Sequence, residues 1–405
     1  MGLASLPGAA EAVEAQPDDQ FPFHRHPGRR ARQAGRPSPT RVAKMTSMHE
    51  TSSITTKAGR CGKAAGTIAF VQNYYTPARH AVFERMAQSG MDLTVYYLQR
   101  PEDEGRRWTF GNEASYRAVN CSSISAGPLI FFWLRTEADT IVLHDNNPTN
   151  LCMLFWAVVL KLRGKRLLLW EMHIPDRFKP RLKQLYQRIC SKMLSATCDT
   201  AIVFSDMTAE YMRGISTRIP TRRMIYVVPP AKEPLVRRSG PIRDIGYIGS
   251  SSKRKNVDAL LAAFTALGQT DAQLHMAGMD PMFTAKGIRW WGYVDGETRE
   301  QFYRSIDVLI LPSFADPWGL VVNEALQRGC LCAVSTACGS AELVRAIDPR
   351  LVFEPGSTDV EACLRTLLSL SRTEVACLRE RCETLIAPYT VDNGAKILST
   401  IVSES

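Results

Sequence analysis

The sequence has no apolar run long enough to cross a bilayer, which takes about 18 to 20 residues. Its longest apolar segment, Leu151 to Leu160, is followed closely by Lys161 and Arg163. We therefore predict that this segment is a buried helix and that the chain has no transmembrane anchor.

The cysteine and glycine patterns that define several protein classes are also missing. The eleven cysteines form no C-x-x-C pair and no Cys/His quartet, which argues against a disulfide framework and a structural zinc site. No G-x-G-x-x-G follows a strand pattern, so an NAD-dependent dehydrogenase is set aside. We expect a protein of the reducing cytoplasm, and peripheral attachment to the inner face of the membrane stays open.

What the chain does contain is an excess of positive charge on an ordinary globular composition. Its 405 residues are 45% hydrophobic and 22% charged, and the formal net charge is +10. Because this length exceeds what one core usually serves, we expect two domains. The charge predicts an anionic partner, and nucleic acid, a phospholipid surface or a phosphate-bearing substrate would each fit.

Residues 1–65 form a basic leader rich in Pro, Arg, Ser and Thr, without a sustained apolar period. Such a segment buries too little to offset its ordering entropy, so we expect disorder. An organellar transit peptide and a translation start at Met45 or Met48 are the alternative interpretations. Nucleic-acid binding is conceivable for this leader alone, and none is expected of the folded part.

Beyond the leader, short apolar runs such as "TIAFVQ" and "TIVLHD" alternate with helical patterns, and the alternation restarts at "DIGYIG". Strand and helix in repetition predict a parallel sheet with helices on both faces. The fold class is therefore α/β, with two Rossmann-like, doubly wound domains that face each other across a cleft. The predicted parts are a first domain over 66–230, a linker over 231–241, a second domain over 242–387, and a C-terminal helix in 388–405 that returns to the first domain.

The most informative stretch is "LPSFADPWGLVVNEALQRG" in the second domain. Its strand ends at Ser313, a loop carries Asp316, and Gly319 begins a helix that carries Glu324. The N–H groups of Gly319 to Val322 and the helix dipole suit a diphosphate. Two acids eight positions apart would contact different parts of one extended ligand.

This stretch resembles the signature of glycosyltransferase family 4, the retaining GT-B enzymes also called glycosyl transferases of group 1. The family has E-P-F-G-L-V-V-x-E before a helix and "ACG", whereas the first acid here is Asp316. The resemblance implies that Glu324 holds the donor ribose and that Asp316 holds the hydroxyls of the donor sugar. Because aspartate is shorter than glutamate, we expect Asp316 to affect which donor sugar is accepted.

Other motifs of that family follow in order along the second half. "IGYIGSSSKRKNVD" resembles a family turn in which Lys255 neutralises the diphosphate, with Ser250 where the family usually has Arg, and Lys253 or Arg254 as candidate replacement cations. "WGYV" implies a backbone that reads the nucleobase, and "GSAELV" contains Gly339 and Glu342. The implied catalytic residues are His173, Asp316 and Lys255, and the implied donor-binding residues are Gly249, Ser250, Arg254, Lys255, Gly292, Tyr293, Val294, Asp316, Gly319, Leu320, Val321 and Glu324.

The first half is less specific, as expected of a domain that binds a variable acceptor. After its first strand come Asn73, Tyr75 and Arg79, without the Gly-Gly that the family often has there. His144 and His173 each follow an apolar strand. The resemblance makes His173 the better match for a histidine that approaches the donor sugar.

The helical pattern from Arg181 to Ala196 has an apolar stripe and no acidic residue. One interpretation is a helix whose stripe faces the core, which we prefer, and the other is a docking surface for an anionic lipid or a lipid-diphosphate acceptor.

The resulting hypothesis is a retaining hexosyltransferase that uses a nucleotide-diphosphate sugar as donor and a glycan or lipid-linked acceptor, for example in polysaccharide biosynthesis. No cofactor or metal is expected, since the sequence has no D-x-D motif. The alternatives are a catalytically weak nucleotide-sugar-binding protein or partner subunit on the same fold, and a nucleotide-sugar epimerase.

Overall fold

The computed structural model describes residues 66–99, 114–121, 136–144, 150–170, 178, 180–231, 240–268 and 271–404. All of them belong to one compact unit, Cys61–Ser405. The predicted leader 1–65 and most of the predicted linker 231–241 lie outside the described residues.

A seven-stranded parallel sheet forms the first half, in the order β3-β2-β1-β4-β5-β6-β7. β1, β4 and most of β5 are buried, as expected for strands covered by helices on both faces. The strands are β1 Ile68–Gln72, β2 Leu93–Tyr97, β3 Arg117–Asn120, β4 Thr140–His144, β5 Arg166–Trp170, β6 Thr200–Val203 and β7 Thr221–Arg223.

Within the described residues, four helices follow strands of this sheet. Pro77 occupies the first turn of the first helix, and the hydroxyl of Thr76 caps it by accepting from the N–H of Arg79 at 3.2 Å. The helices are α1 Pro77–Gln88, α2 Asn150–Leu162, α3 Arg181–Thr197 and α4 Asp206–Ile215.

The second half is a six-stranded parallel sheet in the order β10-β9-β8-β11-β12-β13. Its strands are β8 Asp244–Ile248, β9 Gln273–Ala277, β10 Ile288–Gly292, β11 Val308–Leu311, β12 Leu331–Ser335 and β13 Val352–Phe353. The remaining helices are α5 Val257–Ala266, α6 Gly296–Ser305, α7 Leu320–Gln327, α8 Ala341–Ile347, α9 Ser357–Ser369, α10 Arg372–Ile386 and α11 Val391–Ser403.

The C-terminal helix α11 packs against the first half of the chain. It contacts α1, where Arg85 pairs with Asp392. The guanidinium of Arg166 in β5 donates to the carbonyls of Val402 at 2.8 Å and Ile401 at 3.2 Å. The last helix therefore contacts the first half of the chain, although it follows α10 of the second half in sequence.

The preferred interpretation of α3 is wrong. The buried side of α3 consists of Cys190, Ser191, Leu194 and Ser195, whereas most of its predicted core stripe is exposed. The helical period shows which residues of α3 share a face, but it does not show which face is buried. Packing against α2 buries the face that contains the two serines and Cys190. No helix within the described residues is long and apolar enough to span a membrane.

Candidate active site

The loops after β8 and β11 meet because these two strands are neighbours in the second sheet. The ammonium of Lys255, after β8, donates to a carboxylate oxygen of Asp316, after β11, at 2.5 Å. Both side chains are largely buried, with exposed fractions of 17% and 9%. The two predicted catalytic residues of the second half are thus in direct contact.

Arg254 strengthens the link between these loops. Its guanidinium donates to the carbonyl of Ala315 at 2.7 Å, and its own carbonyl accepts from the N–H of Phe314 at 2.8 Å. Burial disfavours the charged form of Asp316, but the neighbouring Lys255 and Arg254 outweigh burial and lower its pKa. Asp316 is therefore a carboxylate in the folded protein.

Asn256 holds the turn that presents Lys255. Among the described residues, Asn256 is the only residue other than glycine with a positive φ, which is 58°. Asn tolerates this conformation better than most side chains do. Its buried amide donates to the carbonyl of Pro312 at 3.0 Å and to that of Pro355 at 2.8 Å. The turn is therefore anchored to the loop after β11.

Gly319 starts α7 in the left-handed region, with φ 88°. A Cβ at this position would lie 2.5 Å from Cδ2 of Leu311, so both the backbone conformation and the space require glycine. The N–H of Val322 donates to the carbonyl of Gly319 at 2.9 Å. Of the predicted anion donors Gly319 to Val322, the N–H of Val322 is therefore used within the helix, and the other three remain predicted donors.

Glu324, on α7, is held by two residues of α6. Its carboxylate accepts from the hydroxyl of Tyr303 at 2.8 Å and lies 3.5 Å from the guanidinium of Arg299. Burial, reinforced by Glu324, raises the pKa of Tyr303 well above its usual range, so Tyr303 remains a neutral donor. Sequence reasoning missed Tyr303, since a tyrosine inside a helical pattern looks like an ordinary core residue.

Two predicted donor residues, Gly249 and Gly292, lie with Gly278 at the ends of β8, β9 and β10. The N–H of Gly249 donates to the carbonyl of Ala277 at 3.0 Å, and the N–H of Gly278 donates to that of Gly292 at 2.8 Å. A Cβ on Gly278 would lie 2.7 Å from the carbonyl oxygen of Gly249. Glycine thus allows the chain to approach closely beside the predicted nucleobase contact.

The remaining predicted donor residues border this glycine cluster. The carbonyl of Ser250 accepts from the hydroxyl of Tyr247 at 2.9 Å, while its own hydroxyl is 3.3 Å from that of Ser252. Tyr293 is exposed and Val294 is buried.

Aromatic contacts join this site to the first half of the chain. Trp318 stacks on Tyr226, with ring centroids 6.3 Å apart, and its indole N–H donates to Asn323 at 2.7 Å. The ring of Phe314 lies 5.6 Å from that of Phe178. The loop that carries Asp316 therefore packs between the two sheets.

A second contact between the halves involves Glu342, in the predicted "GSAELV" motif. Its carboxylate accepts from the N–H of Asp206 at 2.7 Å and pairs with Arg223. Asp206 follows β6 and Glu342 follows β12, so the carboxyl ends of both sheets meet here.

The predicted residues of the first half are buried or undescribed. His173 lies outside the described residues. His144 is 4% exposed, and burial, together with the positive charge of Arg79, lowers its pKa to about 3. Arg79 is itself buried, donating to Thr76 at 3.0 Å and to Gln72, and Asn73 and Tyr75 are buried beside it.

Comparison with known proteins finds similarity to glycosyltransferases. Residues 242–372 match the model of the family "Glycosyl transferases group 1". An uncharacterized glycosyltransferase of Methanocaldococcus jannaschii is 29% identical over 125 residues, which are 27% of this chain and 32% of that relative. The chain thus spans about a third of the length of this curated relative.

Solved structures resemble a much larger part of the chain. Sucrose-phosphate synthase of Thermosynechococcus elongatus has a TM-score of 0.65 at 15% identity, covering 83% of this chain and 98% of its own. Anabaena HepE, solved in complex with UDP-glucose, has a TM-score of 0.62 at 14% identity, covering 84% and 100%. Residues 242–372 are therefore similar to the glycosyl transferases of group 1, and the fold of the chain is GT-B.

Proposed function

We propose that the protein is a retaining glycosyltransferase that moves a hexosyl group from a nucleoside-diphosphate sugar to a hydroxyl group of a glycan or lipid-linked acceptor. The observation that carries this proposal is the buried pair of Lys255 and Asp316, in which Asp316 lies on the loop that leads to the start of α7. A cation and helical N–H groups suit a diphosphate, and a carboxylate suits sugar hydroxyls. The similarity to HepE, which was solved with UDP-glucose, supports a nucleotide-sugar donor.

In the proposed reaction the bond between the anomeric carbon and the β-phosphate oxygen breaks. The acceptor oxygen bonds to the same face of that carbon, and its proton passes to the departing phosphate oxygen. Lys255, Arg254 and the N–H groups of Leu320 and Val321 stabilise the charge that develops on the phosphate. Each such donor is typically worth on the order of 100-fold in rate. With these donors in place, the step is proposed to need no metal.

The other roles follow the family resemblance. Glu324, oriented by Tyr303, accepts the ribose hydroxyls. The backbone of Gly292 to Val294 contacts the nucleobase. His173 approaches the donor sugar from the first half.

The proposal is tested by thermal unfolding of the full chain in EDTA with UDP, GDP or ADP. A ligand at about 100 times its dissociation constant stabilises the folded state by about 2.7 kcal/mol, so one nucleotide should raise the Tm clearly. Lys255→Ala should abolish that rise. Lys396→Ala removes the same charge from an exposed position on α11, away from the candidate site, and should keep it.

Three outcomes would contradict the assignment. If no nucleotide raises the Tm of the wild-type protein, the donor site is absent. If a nucleotide sugar is converted to an isomer without any acceptor, the protein is an epimerase instead. Binding of the nucleotide with no sugar transfer to any glycan or lipid acceptor would indicate a sugar-binding partner subunit.

A further inference from the structure

Helix α3 turns its large apolar side chains towards solvent. Leu182 is 79% exposed, Leu185 55% and Ile189 49%, and Tyr186 and Met193 share this face. The opposite face, which packs on the protein, includes two serines and a cysteine. Since burying large aliphatic side chains is favourable, a helix with this arrangement gains from a further apolar contact.

The neighbouring helix α2 has a second exposed apolar stripe. Phe155 is 59% exposed and Leu162 83%, and Val158 lies between them at helical spacing. α2 and α3 pack against each other, and Lys161 pairs with Asp199 just beyond the end of α3. The outward stripes of two adjacent helices thus lie in one region of the first half; we refer to them together as the outward face.

Positive charge accompanies this apolar surface. α3 carries Arg181, Lys183, Arg188 and Lys192 and contains no acidic residue. Arg188 lies three positions after Leu185 and Lys192 three positions after Ile189, so each cation is a neighbour of an exposed aliphatic residue on the helix surface. Long cationic side chains beside exposed aliphatic ones are the composition of a helix that lies in the interface of an anionic membrane.

We propose that the outward face of α2 and α3 docks on an anionic phospholipid bilayer. A second copy of this chain fits less well, because a symmetric contact through this face would bring equal positive charges together. A neutral protein partner would leave the cations of α3 without a counter-charge. An anionic bilayer complements both the apolar stripes and the cations.

The outward face begins close to the candidate active site. Phe178, three residues before α3, has its ring 5.6 Å from that of Phe314, two residues before Asp316. This placement favours an acceptor hydroxyl carried by a membrane lipid, an inference that rests on the proposed function. The docking itself depends only on α2 and α3.

The test is sedimentation of the full chain with vesicles of phosphatidylcholine alone, and with vesicles in which about one third is phosphatidylglycerol. The wild-type protein should sediment with the anionic vesicles and much less with the neutral ones. Arg188→Gln with Lys192→Gln should lower anionic binding about fivefold per cation removed, from about 1 kcal/mol each. Leu185→Glu with Ile189→Glu should abolish binding to both.

Met282→Glu is the matched control, since Met282 is a 51% exposed apolar residue of the second half, and it should bind as the wild type does. Unchanged nucleotide stabilisation in every variant would show that the donor site is intact, so docking and the proposed function fail separately. Equal binding to neutral and anionic vesicles, or no binding, overturns the proposal. A dimer in vesicle-free sedimentation that Leu185→Glu dissociates would also overturn it, since the face would then join two copies.

Discussion

At the scale of single residues, the contact with Lys255 helps to define the role of Asp316, which is shorter than the glutamate of the family motif. The lysine reaches the aspartate at 2.5 Å, and the carboxylate also lies 3.3 Å from the N–H of Trp318. The loop therefore fixes the orientation of Asp316, which the proposed function assigns to the hydroxyls of the donor sugar. A preorganised carboxylate of this kind favours one arrangement of sugar hydroxyls over others.

Tyr303→Phe tests whether Glu324 acts as the ribose acceptor. Removing the hydroxyl eliminates the 2.8 Å hydrogen bond to Glu324. A hydrogen bond to a charged group is worth about 1.5 to 3 kcal/mol, so we expect nucleotide affinity to fall at least tenfold. Calorimetric titration with the nucleotide that binds wild type measures the loss. Tyr389→Phe, far along the chain in the turn before α11, should leave the affinity unchanged, and equal affinities for all three proteins would remove Tyr303 from the site.

His144 predicts how stability depends on pH. Its pKa is about 3 in the folded protein, below the unfolded value near 6.5, so below pH 6.5 the unfolded chain binds a proton that the folded protein does not. Stability should therefore fall as pH falls through this window, by about 2 kcal/mol between pH 7 and pH 5 from this residue. Urea unfolding of wild type and His144→Gln at both pH values measures the difference. A pH slope as steep in the variant as in wild type would show that His144 is not responsible.

At the scale of elements, the start of α7 depends on Gly319. Gly319→Ala places a Cβ 2.5 Å from Leu311 and adds backbone strain at φ 88°, so we expect a loss of stability of about 1 to 3 kcal/mol and weaker nucleotide binding. Gly296→Ala is a matched control, since its φ is also positive at 45° and nothing lies within 4 Å of its added Cβ. Urea unfolding of both variants, with nucleotide titration, gives the comparison. Equal effects of the two substitutions would show that the contact with Leu311 is unimportant.

Apolar runs made the buried strands predictable, and short or polar elements were not. β1 and β4 match the predicted runs to within a residue or two. β3 and β7 are partly or fully exposed and polar, and β13 has two residues, so none of them produces an apolar pattern. The side of α3 that faces the protein could not be read from its period either, because packing against α2 decides it.

The residues of the candidate site were likewise predictable only in part. Asp316, Lys255 and Gly319 were found because they sit at fixed spacing within a recognisable motif. Tyr303 and Asn256 were not, since their roles arise from contacts between loops and helices distant in sequence.

At the scale of the whole molecule, two sheets meet through the loops at their carboxyl ends. Asn323 in α7 donates to the carbonyl of Tyr226 at 2.7 Å, and Glu342 in α8 accepts from Asp206 in α4. The candidate donor groups lie on the second sheet, while His173 belongs to the chain after β5 of the first. Under the proposed function, transfer therefore depends on the relative position of the two halves, whereas nucleotide binding depends mainly on the second half.

Glu342→Gln separates these two requirements. The substitution removes the charge that pairs with Arg223 and weakens the bond from the N–H of Asp206, so the halves are held less firmly. We expect kcat to fall about tenfold, because a misplaced acceptor loses much of the benefit of orientation, while nucleotide affinity stays near the wild-type value. Hydrogen exchange at the Asp206 amide should accelerate. Glu361→Gln, which breaks only an exposed pair with Arg365 within α9, should change none of the three. If nucleotide affinity fell together with kcat, Glu342 would act on the donor site itself rather than on the contact between the halves.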